Sequence, residues 1–283
     1  MKLIRFGEAG KEMPGIIDGN KWLNCSTFGE DWSEEFFEND GINRLAAWLV
    51  KNKGILEEIS QDSRLGPPIK RPSKIICVGL NYSLHAKESG MAVPDTPILF
   101  MKATSSISGP NDPIIIPRNS EKTDWEVELA VIIGKKASYV SKEEAMDYVA
   151  GYCLHNDVSE RDFQLNHGGQ WVKGKSADNF APLGPFLATK DEIPDPHQLR
   201  LWLSVNGEML QDSITSDLVF DIPTLVSYIS QYMSLLPGDI ISTGTPSGVG
   251  LGLKPPRYLK AGDVVELGID GLGKARQVAE NAK

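Results

Sequence analysis

From Lys74 onward the chain is a succession of short apolar runs, KIICVG, PILFMK, PIIIP, EVELAVIIG, VAGYCLHND, LRLWLSVNG, GDIISTG and DVVELGI, separated by glycine, proline and Asn-Gly turn signals. Runs this short, rich in Val and Ile, predict strands. Helical spacing appears in a few intervals, notably 141–148, 159–164 and 222–230. The pattern predicts an α+β, β-dominated fold with helices as decoration rather than a parallel βαβ sheet. The first part differs: short strands and turns at 2–6 and 14–23, then an amphipathic stretch at 41–59 that places Leu45, Leu49 and Ile55 at helical spacing. The run GPPIKRPSK at 66–74 carries three prolines, which can continue neither a helix nor a central strand. It predicts a boundary between a small N-terminal α+β domain, 1–68, and a main domain, 69–283.

Within TDWEVELAVIIG, Glu126 and Glu128 are one residue apart on a strand-like run and therefore leave the backbone on one face, followed there by Ala130 and Ile132. A solvated strand face would also tolerate such a pair. The apolar run that follows instead suits a buried central strand. Two buried carboxylates side by side need a positive charge between them. Asp157, at the end of VAGYCLHND, would complete a three-carboxylate shell, and an all-oxygen donor set points to a hard divalent ion, Mg²⁺ with Mn²⁺ or Ca²⁺ as alternatives.

In GLNYSLHAKESG, His85 and Glu88 are three apart, which on a short helix places them within hydrogen-bonding reach: a general base with its orienting carboxylate, or a surface histidine beside a helical glutamate. Arg161 and Gln164 follow Asp157 on the next turns, where a guanidinium can receive a carboxylate or simply neutralise Glu160 or Asp162. Lys175 in KGKSADNF and Thr245 in STGTPSGVG offer a cation and a hydroxyl in loops suited to anions. His155, His167 and His197 show no ligand spacing and read as structural or solvent-facing.

Charge narrows the partners. A formal net charge of −9 and a pI near 5.1 argue against nucleic acid and anionic membranes. Cys25, Cys77 and Cys153 are scattered without a CxxC, so neither a disulfide framework nor a zinc ribbon is expected. TGTPSGVGLG lacks the GK[ST] ending of a P-loop. The opening MKLIRFGEAG has no apolar core of an export signal, and no segment approaches a membrane span, so a cytoplasmic location is expected.

The order GLNYSLHAKE, DWEVELAVIIG, HNDVSERDFQ, KGKSADNFAPLGP, STGTPSGVG resembles the fumarylacetoacetate hydrolase family from about residue 72 to the C-terminus. Within it, the bacterial members acting on 2,4-diketo-3-deoxy sugar acids, often labelled ureidoglycolate lyase, look most similar. The resemblance implies a mixed β-roll catalytic domain, a homodimer, Mg²⁺ or Mn²⁺, and a small anionic 2-oxo acid as substrate. It implies Glu126, Glu128 and Asp157 as metal ligands, His85 and Glu88 as a water-activating dyad, and Lys175 beside a developing enolate. Arg161, Gln164 and Thr245 match positions that hold the substrate carboxylate or nearby oxygens. Tyr82, with Asn81, falls in the motif around the dyad, and the resemblance implies Tyr82 as a further substrate-binding residue. The implied reaction is hydrolysis of the C3–C4 bond of a 2,4-dioxo acid, with a 2-oxo acid lyase or decarboxylase, or a keto–enol isomerase, as alternatives.

Overall fold

The computed structural model describes residues 1–88 and 90–283. Ten strands form one sheet, in spatial order Glu58–Ile59, Lys21–Asn24, Met13–Asp18, Lys2–Phe6, Leu187–Thr189, Val149–Asn156, Val127–Ile133, Ile240–Ser242, Ile75–Gly79 and Ile98–Lys102. Pairing is antiparallel except between Ile240–Ser242 and Ile75–Gly79, which makes the sheet mixed. A second sheet of five strands runs Glu208–Ile214, Arg200–Val205, Val264–Ile269, Gly273–Asn281 and Ile114–Ile116. The β-dominated α+β class read from the apolar runs is the one the chain adopts, and each of the eight runs contains a strand.

Alternation along Val127–Ile133 sends side chains to two different cores. Val127, Leu129, Val131 and Ile133 join Leu201, Leu203, Val265 and Leu267 of the five-stranded sheet. Ala130 and Ile132 point the other way, into a core built with Trp32, Phe36, Leu45 and Leu49 of the N-terminal segment. The segment 1–68 also continues the main sheet, because Lys2 and Leu3 pair with Ala188 and Leu187.

The amphipathic stretch at 41–59 ends as a helix at Asn52, earlier than its spacing predicts. Gly54 is a poor helix former, and the chain turns so that Glu58 and Ile59 pair with Leu23 and Trp22. Ile55 is consequently 82% exposed instead of completing the buried stripe of Leu45 and Leu49. The helix expected at 141–148 is reduced to one 3₁₀ turn, Ala145–Tyr148. At 159–164, Ser159–Glu160 instead pairs with Thr123–Asp124, and the helix Arg161–Leu165 begins where the Glu160 carboxylate accepts the N–H of Asp162. The helix at 222–230 is present, capped by Asp221 accepting from the Thr224 N–H. Among the described residues no helix is long and apolar enough to cross a membrane.

Candidate active site

The carboxylates sit where the central strand and its neighbour run out of sheet. Glu128 pairs directly with His155, and the ladder extends one step further as the Asp157 N–H donates to the Glu126 carbonyl at 2.9 Å. Glu126, just before the strand, has its own N–H held by Asn156 Oδ1 at 3.1 Å. Register therefore brings Glu126, Glu128 and Asp157 together, each offering an oxygen within 4.8 Å of the others, all buried.

Their charge is only partly answered from within. Lys175 Nζ donates to Glu126 Oε2 and Asp157 Oδ2, both at 2.8 Å. Lys102 Nζ donates to Asp157 Oδ1 at 2.5 Å and to the Val158 carbonyl at 3.0 Å. Arg161 Nε donates to Asp124 Oδ2 at 2.8 Å, and its Nη2 lies 2.8 Å from Glu126 Oε1 as an ion-pair contact without hydrogen-bond alignment. Glu128 has no cation partner among the described residues; its Oε2 accepts only from the Ser242 hydroxyl at 2.5 Å and the Gly244 N–H at 2.9 Å.

The proton affinities follow. Burial, then Asp157 and Glu126, push Glu128 well above the usual carboxylate range. Burial also acts against ionised Asp157, but Lys102 and Lys175 outweigh it and hold that carboxyl below its usual range. Lys175 is likewise opposed by burial and still raised, because Asp157 and Glu126 flank it. Three carboxylates at the ends of two paired strands, one of them short of positive charge, fit a hard divalent cation: Glu126, Glu128 and Asp157 supply oxygen only, and the ion would provide the charge Glu128 lacks.

Beside the cluster lies a cavity of about 260 Å³, lined by polar His85, Glu126, Glu128, Arg161, Gln164, Lys175 and Thr245 and by apolar walls including Leu80, Phe100, Trp171 and Leu251. His85 and Glu88 lie on the helix Ser83–Glu88, and the predicted pair forms, with Nδ1 to Oε1 at 2.9 Å. The Gly248 N–H donates to both Glu88 oxygens, at 3.1 and 3.0 Å, anchoring the dyad to the STGTPSGVG loop. Gly252 permits the approach of that carboxylate, since a Cβ there would lie 2.7 Å from Glu88 Cδ. Gln164, which lines the cavity, accepts at Oε1 from Arg161 Nη1 at 3.1 Å, and its amide hydrogens have no hydrogen-bond acceptor among the described residues. Thr245 donates its proton to the Val127 carbonyl and accepts from Gln211 Nε2, both at 2.9 Å.

Three predicted residues stand off the cavity wall: Glu88, which reaches it only through His85, and Asp157 and Tyr82. Asp157 lies under Lys175, fully buried. Tyr82 is buried in the core and borders a separate depression with Ser213, Asp217 and Ser247. Its hydroxyl has no hydrogen-bond partner among the described residues. Asn81 is engaged structurally, joining the Phe220 backbone to the Thr243 carbonyl. Lys102, Asp124 and Ser242 were not singled out from sequence. A lysine closing the apolar run PILFMK was the available signal for the first; the other two reveal their roles only through strand pairing.

Residues 74–279 match the sequence signature described as fumarylacetoacetate (FAA) hydrolase C-terminal. The chain belongs to the fumarylacetoacetate hydrolase family. A Burkholderia ambifaria protein designated only as a hydrolase is 50% identical over 285 residues, covering 100% of both chains. The structure of maleylpyruvate hydrolase from Sphingobium sp. SYK-6, in complex with manganese (II) ion and pyruvate, aligns with a TM-score of 0.84 at 31% identity and 100% coverage of each chain. The 5-carboxymethyl-2-hydroxymuconate delta-isomerase from Mycobacterium smegmatis aligns with a TM-score of 0.76 at 32% identity, again over 100% of each chain. The fumarylacetoacetate hydrolase family thus includes hydrolases and isomerases, and this member has a buried acidic triad able to hold a metal.

Proposed function

We propose that the protein is a divalent-metal-dependent hydrolase that cleaves the C3–C4 bond of an acylpyruvate-type 2,4-dioxo acid to pyruvate and a second acid. The observation that carries this reading is the Glu88-held His85 opening onto the same cavity as Glu126 and Glu128. A base for water beside a grip for an α-keto acid is what hydrolysis requires and decarboxylation does not. The pyruvate and manganese in the Sphingobium relative support the same fragment and a hard cation here. Glu126, Glu128 and Asp157 would hold Mg²⁺, with Mn²⁺ as the alternative. Once bound, that ion would supply Lewis acidity toward the carboxylate and 2-oxo oxygens of the substrate.

The side chains account for the remaining chemistry. Arg161 Nη2, buried without an aligned acceptor, and the Gln164 amide receive the substrate carboxylate. His85, its Nδ1 engaged by Glu88, takes a proton at Nε2 from water, whose oxygen adds to C4. The C3–C4 electron pair passes into the pyruvyl fragment as its enolate, the acyl fragment leaves with the water oxygen, and C3 takes up a proton. Lys175 stabilises the enolate charge from a buried, preorganised position. Thr245 shapes the wall through the Val127 carbonyl it holds, and the Tyr82 carbonyl accepts from the Ala86 N–H at the start of the Ser83–Glu88 helix.

The apolar walls Leu80, Phe100, Trp171 and Leu251 favour an acyl tail poor in hydroxyls over the sugar-acid tail implied by the sequence resemblance. A cytoplasmic homodimer belongs to the same proposal. The test supplies maleylpyruvate-like and sugar-derived 2,4-dioxo acids, oxaloacetate and a hydroxymuconate with Mg²⁺ in ¹⁸O-water, and measures pyruvate, the second acid and carbon dioxide. Pyruvate with ¹⁸O in the second acid is expected. His85→Ala should lower that turnover roughly 10²–10⁴-fold with Mn²⁺ affinity unchanged. Carbon dioxide without a second acid, or a shifted double bond without pyruvate, would replace the hydrolase by a decarboxylase or an isomerase.

A further inference from the structure

On the face of the sheet that carries the carboxylates, three neighbouring strands place His155, Glu128 and Ser242 side by side. Glu128 is paired with His155 across one ladder, and Ser242 is paired with Ala130, two residues along from Glu128, across the other. His155 Nδ1 lies 2.6 Å from Ser242 Oγ, and Ser242 Oγ lies 2.5 Å from Glu128 Oε2. The Gly244 N–H donates to that same Oε2, so the oxygen is an acceptor twice over and the Ser242 proton points toward it. Ser242 Oγ must then accept from His155, which fixes the imidazole as its Nδ1–H tautomer. The other nitrogen, Nε2, is buried with no partner among the described residues.

We propose that His155, acting through Ser242, is a positioning residue that pins Glu128 Oε2 and so presents Oε1 to the cation. The proposal rests on the assignment of Glu128 as a metal ligand. Without the relay, a carboxylate repelled by Glu126 and Asp157 has no side-chain partner to hold its rotamer against that repulsion. An imidazole with a bare buried nitrogen is an expensive way to fill space in a strand, and its one hydrogen bond leads to the carboxylate that lacks a cation. Outer partners of this kind orient ligands and typically alter metal affinity by roughly 10–100-fold when removed.

The test is Mn²⁺ titration of purified protein followed by electron paramagnetic resonance, with thermal unfolding of each metal-free variant as a control. His155→Leu and Ser242→Ala should each weaken Mn²⁺ binding roughly 10–100-fold while unfolding cooperatively. His155→Asn, whose amide N–H can stand near the Nδ1 position, and Ser242→Thr should restore most of the affinity. In metal-free protein, ¹⁵N spectra of the imidazole should report Nδ1–H, and Ser242→Ala should shift that resonance. Wild-type affinity in His155→Leu, or equal losses in His155→Leu and His155→Asn, would overturn the relay while leaving the metal site standing. Wild-type protein that takes up no Mn²⁺ would overturn the metal assignment and the relay with it.

Discussion

One face of the strand Val127–Ile133 and its approach presents two halves that are equally inaccessible and chemically opposite. Ala130 and Ile132 are fully buried against the N-terminal segment, while Glu126 and Glu128, also almost without exposure, open the same row. The apolar half is stabilised by leaving water. The acidic half must recover its lost hydration from Lys175, Arg161, Ser242 and Gly244. Burial alone therefore does not distinguish scaffold from site; the shortfall of positive charge at Glu128 does.

The comparison can be broken most forcefully at Lys175. Lys175→Met leaves Glu126 and Asp157 without their shared ammonium and should lower metal-free unfolding free energy by about 3–5 kcal/mol in urea melts. On the apolar half, Ile132→Ala should cost about 2–5 kcal/mol in the same melts, yet leave kcat/KM of the folded fraction unchanged. A comparable loss of activity would show that the halves are not separable. Glu128→Gln sharpens the contrast: it removes an underpaired acid and should leave metal-free stability unchanged or higher. Wild-type protein should gain about 2.7 kcal/mol at a hundredfold excess of Mg²⁺ over its Kd, and the Glu128→Gln variant should gain nothing, as calorimetric melts can show. The smallest signal concerns the thiols. Burial pushes Cys25 up to about 12 and raises Cys77 and Cys153 as well, so an aromatic disulfide reagent should label all three only on unfolding.

How much of this could be read beforehand depended on how local the signal was. Strand positions declared themselves because Val- and Ile-rich runs between turn residues have few alternatives. The carboxylate pair and the His85–Glu88 spacing were readable because two- and three-residue offsets have fixed geometric meaning on a strand and a helix. The end of the helix at Asn52 was hidden, since the competing pairing of Ile59 with Trp22 is a tertiary event. Lys102, Asp124 and Ser242 were missed for the same reason: each matters through a partner at least 37 positions away. Tyr82 shows the converse hazard, a residue in the right motif whose ring turns toward the core.

The pairing of Lys2–Phe6 with Leu187–Thr189 has a practical corollary. Cutting the chain at the proline-rich run would strip a neighbour from a strand adjoining the one that bears His155, and would bare Ile132 and Cys153 to solvent. A shortened product starting near residue 69 should therefore be an aggregating fragment with an unsealed edge, not a smaller enzyme.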